Sequence, residues 1–109
     1  MKRFGQVIGV DPDRIDTYIE HHDHIWPEIT DALRIAGIRN YSIFQHGDQL
    51  FAYFEYHGPD DDYDDRMEAL AAAPRMSEWW AVVGEFQRPD PNRAPGEFWT
   101  NLPSIFHQP

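Results

Sequence analysis

The spacing of apolar residues changes twice between short and long period, and that alternation is what most restricts the fold. From Phe4 to Val10 the chain alternates, with Phe4, Gln6, Ile8 and Val10 on one side and Gly5, Val7 and Gly9 on the other, as a strand does. Asp11-Pro12-Asp13 stops the strand and offers capping carboxylates. Ile15, Tyr18, Ile19 and His22 then fall at i, i+3, i+4 and i+7, one face of a helix. Pro27 interrupts and fits the first turn of a second helical piece, Ile29, Ala32, Leu33 and Ala36, which Gly37 ends.

The same sequence of periods then repeats. Ile38 to Phe44 reads as a strand with Tyr41 and Ile43 on one face. His46-Gly47-Asp48 is a hairpin turn, and Leu50 to Tyr56 returns as a strand. After Gly58-Pro59, Asp64 to Ala73 and Met76 to Phe86 are helical and are separated by Pro74. Arg88 to Gly96 reads as an irregular loop and Glu97 to His107 as a final extended segment. The order βαββαβ predicts an α+β ferredoxin-like sandwich in one domain, residues 1–109, with helices on one face of an antiparallel sheet. The other sheet face would be left bare, which predicts a homodimer built sheet to sheet.

Composition narrows the function. The chain is 15 % aromatic, too rich in ring side chains for a disordered segment. Its formal net charge of −10 has no basic stripe to offset it, which disfavours nucleic acid and anionic substrates and leaves neutral polyols unopposed. There is no Cys, and no apolar run approaches the roughly 20 residues of a membrane span. The expectation is a soluble cytoplasmic protein with no membrane or nucleic-acid partner.

Trp79 and Trp80 are adjacent, so on a helix they point about 100° apart and cannot share one core stripe. One packs inward while the other offers a flat apolar face to a cleft, suited to the C–H side of a sugar ring. His22 continues the apolar stripe of Ile15, Tyr18 and Ile19, one turn from Tyr18 and near Trp26. That position fits either a satisfied core histidine or an imidazole poised for proton transfer at neutral pH. Tyr41 fits core packing and ligand contact equally. His21 and His24, at i and i+3 with Asp23 between them, are spaced to chelate a metal, but no distant ligands join them, and the expectation is no metal. Asp60 to Asp65, five acids around Tyr63, lacks calcium-loop spacing and reads as a solvated helix start.

The segments Tyr18-x-x-x-His22-x-x-Ile25-Trp26-Pro27-Glu28, Gly37-x-x-Asn40-Tyr41-x-Ile43 and Trp79-Trp80 resemble the L-rhamnose mutarotases over nearly the whole chain. Pro89-Asp90-Pro91-Asn92 and Leu102-x-x-Ile105-Phe106 look like that family too. The resemblance implies a dimeric α+β barrel that interconverts the α and β anomers of L-rhamnose or a related 6-deoxy sugar without a cofactor. It implies His22 as general acid and Tyr18, Tyr41, Trp79 and Trp80 as substrate-binding residues. His22 would protonate the ring oxygen while Tyr18, Tyr41 or a bound water relays the second proton. Two other readings fit the residues: a cofactor-free monooxygenase on the same barrel, and a non-catalytic sugar-binding module.

Overall fold

The computed structural model describes residues 1–109. A long first strand, β1 (Lys2–Val10), leads into a short 3-10 turn and then two helices, α1 (Ile15–Asp23) and α2 (Pro27–Ile35). The hairpin β2 (Ile38–His46) and β3 (Gln49–Tyr56) follows. A second helical pair, α3 (Tyr63–Ala71) and α4 (Met76–Gly84), precedes two short strands, β4 (Gln87–Arg88) and β5 (Thr100–Leu102). No helix is long and apolar enough to cross a membrane.

The helix boundaries follow from local chemistry. Asp11 Oδ1 accepts from the Asp13 backbone N–H at 3.0 Å and caps the turn that launches α1. Pro27 sits at the start of α2, where its missing N–H costs little. Gly37 ends α2 at φ +88°, and a Cβ there would meet the His57 carbonyl oxygen at 2.9 Å, so the stop requires glycine.

The sheet is antiparallel, with β1 flanked by β3 on one edge and by both β4 and β5 on the other. The predicted final strand is therefore realised in two pieces. Only Thr100–Leu102 of the extended 97–107 segment pairs, at Gly5 to Val7, while Gln87–Arg88, expected just past the helix ending at Phe86 and at the start of a loop, pairs with Gly9 and Val10. Pro89 and Pro91 explain the division, since neither has an N–H for a ladder.

Side-chain alternation sends Ile8, Val10 and Leu50 inward, where they pack with Tyr18, Ile29, Met76, Trp79, Val83 and Phe86 beneath the helices. Phe54, Tyr56, Ile38 and Ala36 form a second cluster at the other end. The opposite sheet face carries no helix. Phe44, Phe51 and Leu102 remain 59 %, 41 % and 39 % exposed there, around Gly5.

One irregularity positions a side chain for the site. Arg39 pairs with Glu55 and Ser42 with Tyr53, so Asn40 and Tyr41 together oppose one residue of β3. This is a β-bulge, and Asn40 occupies it at φ +53°. Strict alternation from Ile38 would turn Tyr41 outward. The extra residue turns it inward, where its ring lies 5.2 Å from that of Phe54.

Candidate active site

Between the helices and the inner sheet face lies a cleft of two connected lobes. Tyr18, His22, Tyr41, Ile43, Trp79 and Trp80 border both. The first lobe has a volume of about 580 Å³ and adds Asp23, Thr30 and Gln45 as polar groups. The second, about 700 Å³, adds Gln6, Gln87, Glu97, Trp99 and Asn101. Both volumes suit a small ligand.

His22 sits where the lobes join. Its Nδ1 lies 2.9 Å from the backbone oxygen of Tyr18. A carbonyl oxygen can only accept, so Nδ1 carries the hydrogen and donates it. Nε2 is left as the nitrogen that gains and loses a proton. Burial pushes the His22 pKa down, and charge on His21 adds to this; the Tyr18 carbonyl and Asp23 oppose it. At neutral pH the ring is therefore mainly neutral, with a bare Nε2.

Aromatic neighbours fix this imidazole. The Tyr18 ring lies 4.5 Å away and tilted, and the Trp79 ring stands edge-on at 5.3 Å. Trp26 meets Trp79 edge-on at 5.4 Å, and the Arg75 guanidinium covers the Trp26 face at 3.8 Å while reaching Glu28 at 3.3 Å. A wall runs from Arg75 through Trp26 and Trp79 to His22.

Both phenols resist ionisation. Tyr18 is buried, and desolvation raises its pKa although Gln87 Nε2 donates to its hydroxyl at 3.1 Å. Tyr41 is 42 % exposed over the whole residue, yet its hydroxyl lies deep enough that desolvation pushes its pKa up to about 12, with Tyr18 adding to the shift. Each hydroxyl remains protonated at neutral pH and available as a donor.

The structure thus brings together all five residues singled out in the sequence. It corrects one expectation: both tryptophans border the cleft. Trp79 is its buried inner wall and Trp80, 48 % exposed, stands at the mouth. His21 packs instead on the Phe86 ring at 5.6 Å, and His24 Nδ1 lies 3.0 Å from the Glu20 carbonyl oxygen. No three His, Asp or Glu side chains converge as a metal site. Gln87, Gln6 and Asn101 were missed. Gln6 carried a signal, being the one polar residue on the Phe4, Ile8, Val10 face.

Comparison with known proteins covers the chain as a whole. The family model described as L-rhamnose mutarotase matches residues 3–108. An L-rhamnose mutarotase of Ligilactobacillus salivarius is 36 % identical, covering 96 % of this chain and 95 % of its own. One from Tolumonas auensis is 33 % identical, with 98 % of each chain covered. The crystal structure of an L-rhamnose mutarotase from Formosa agariphila superposes over 100 % of both chains with a TM-score of 0.76 at 23 % identity, and shares the ferredoxin-like α+β fold.

Proposed function

The chain belongs to the L-rhamnose mutarotase family of isomerases, and on that premise we propose that it interconverts the anomers of L-rhamnose or a closely related 6-deoxy pyranose, with His22 as the acid/base group. The observation that carries the assignment is the 2.9 Å contact from His22 Nδ1 to the Tyr18 carbonyl, which leaves Nε2 free to exchange protons beside an aromatic wall.

The neutral imidazole takes the proton of the anomeric hydroxyl at Nε2. The C1–O5 bond breaks with its electron pair going to O5, and the imidazolium returns the proton there. The aldehyde turns about C1–C2, and closure runs the same steps in reverse. One imidazole serves both directions because no net proton is gained or lost. Tyr18 and Tyr41, held protonated, donate hydrogen bonds to the sugar rather than accept a proton. Trp79 and Trp80 lie against its C–H face and methyl group, whose burial contributes about 0.8 kcal/mol per carbon.

The same reading extends to assembly and location. Phe44, Phe51, Leu102 and Gly5 form an apolar outer sheet face, and Ile105 and Phe106, in the segment that follows β5, are 95 % and 79 % exposed. A second copy meeting the chain sheet to sheet removes this surface from water. The whole chain acts as one domain in the cytoplasm, a placement that its lack of Cys suits.

A panel of free sugars followed by anomer-exchange NMR tests reaction and substrate together. Faster exchange for L-rhamnose than for hexoses bearing a 6-hydroxyl supports the proposal, and spontaneous rates for every sugar overturn it.

A further inference from the structure

We infer that Gln6 and Asn101 form a hydroxyl-reading subsite in the second lobe of the cleft, one that selects sugars carrying two adjacent hydroxyls away from the anomeric carbon. The inference rests on the mutarotase reading and adds the residues that set its specificity.

Gln6 is out of place as a packing residue. It lies on the inner face of β1, between Phe4 and Ile8, and pairs across the ladder with Ala52, which is fully buried. Placing an amide in such surroundings is unfavourable unless its polar atoms find partners. Only part of that demand is met within the protein: Gln6 Nε2 donates to Asn101 Oδ1 at 2.8 Å. Gln6 Oε1 has no partner in the chain; Asn101 Nδ2 directs one of its two hydrogens to the Glu97 carboxylate and keeps the other for a ligand, and both amides border the same lobe.

The pair is held in place from below. Gln6 and Asn101 are ladder partners in β1 and β5. Glu97 Oε2 accepts from the Asn101 backbone N–H at 3.0 Å, and its Oε1 accepts from that of Ala94 at 3.0 Å. Those two backbone donors, joined by the Asn101 side-chain amide, keep the Glu97 carboxyl pKa low against its desolvation, so the brace stays ionised at neutral pH. One open acceptor and one open donor group therefore stand side by side on a fixed frame. Adjacent hydroxyls of a pyranose match them, one donating to Gln6 Oε1 and its neighbour accepting from Asn101 Nδ2. The lobe also contains Trp99, and Tyr18 and His22 line its inner wall, so a ring with its anomeric carbon at His22 can extend its far hydroxyls towards the amides.

The test compares catalysed anomer exchange of L-rhamnose with that of its 2-, 3- and 4-deoxy analogues, for the unmodified protein, Gln6→Leu and Asn101→Leu, with binding read by tryptophan fluorescence. Amides that the bound sugar strips of water but leaves unmatched reject a deoxy analogue, so at least one analogue should lose about tenfold or more in kcat/KM with the unmodified protein. Either leucine variant should bring L-rhamnose and that analogue to within about twofold of each other. Gln6→Glu and Asn101→Asp keep side-chain size, and each should shift discrimination rather than abolish the fold. Discrimination that survives all four substitutions overturns the subsite while leaving the mutarotase reading intact. If the unmodified protein neither binds nor accelerates any of the sugars, the mutarotase reading fails and the subsite fails with it.

Discussion

His22 Nδ1 donates to the carbonyl oxygen of Tyr18, one helical turn earlier, at 2.9 Å. The contact fixes the ring's tautomer and leaves Nε2 as its exchanging nitrogen. Burial then decides which protonation state predominates, and the neutral one does at neutral pH.

A pH profile follows from that direction. The His22 pKa is lowered from 6.5, and the bare Nε2 form starts the reaction. Activity should be constant at and above neutral pH and fall as pH drops through a midpoint below 6.5. Measuring kcat/KM from pH 4.5 to 8, corrected for spontaneous mutarotation, checks this. Activity that rises towards acid would mean that the imidazolium is the resting catalyst.

The tryptophan pair should divide stability from binding. Trp79 is 5 % exposed and meets both His22 and Trp26, so Trp79→Ala should cost about 3–5 kcal/mol in urea unfolding. Trp80, at the mouth, should unfold within about 0.5 kcal/mol of the unmodified protein when replaced by Ala, yet bind sugar more weakly. Equal losses of stability would contradict the assigned places.

The bulge at Asn40 should be separable by backbone preference. Asn40→Gly tolerates φ +53° and should keep activity, losing only the 2.9 Å hydrogen bond from Nδ2 to Glu55. Asn40→Val cannot adopt that conformation cheaply and should cost about 1–2 kcal/mol while turning Tyr41 out of the cleft. Circular dichroism melts and kcat/KM for both variants, with Tyr41→Phe as reference, decide the matter. If the valine variant is fully active, the bulge does not aim Tyr41.

Assembly should respond to a charge on the bare sheet face. The Phe44 and Phe51 rings lie 6.4 Å apart on neighbouring strands. Phe51→Asp should convert a dimer to monomer in analytical ultracentrifugation and leave the cleft residues in place, since they lie on the other side of the sheet. A monomeric unmodified protein at micromolar concentration would remove the basis for the dimer.

Most of this architecture was legible in the residues because it rests on periodicity. The shift from alternation in Phe4–Val10 to the Ile15, Tyr18, His22 stripe identified β1 and α1, and Pro27 and Gly37 bounded α2. The last strand was less legible, because its pairing with β1 is divided around a proline-containing loop, and such pairing is decided by register across the sheet. The same limit hid Gln87. Its bond to Tyr18 spans 69 positions, and no local pattern records it. Tyr41 was placed on the Ile43 face by simple alternation, whereas its agreement with Ile38 depends on an extra residue that alternation cannot register. Gln6 was visible as a polar interruption of an apolar face, but its meaning required Asn101 beside it.

The central claim is tested most directly by exchange NMR on L-rhamnose with the unmodified protein and with His22→Gln, alongside sugar binding by tryptophan fluorescence. The account expects the unmodified protein to speed anomer exchange well above its spontaneous rate, and the variant to lose about 10²-fold or more of that acceleration while still binding the sugar. A His22→Gln protein that exchanges the anomers at the full rate would contradict it.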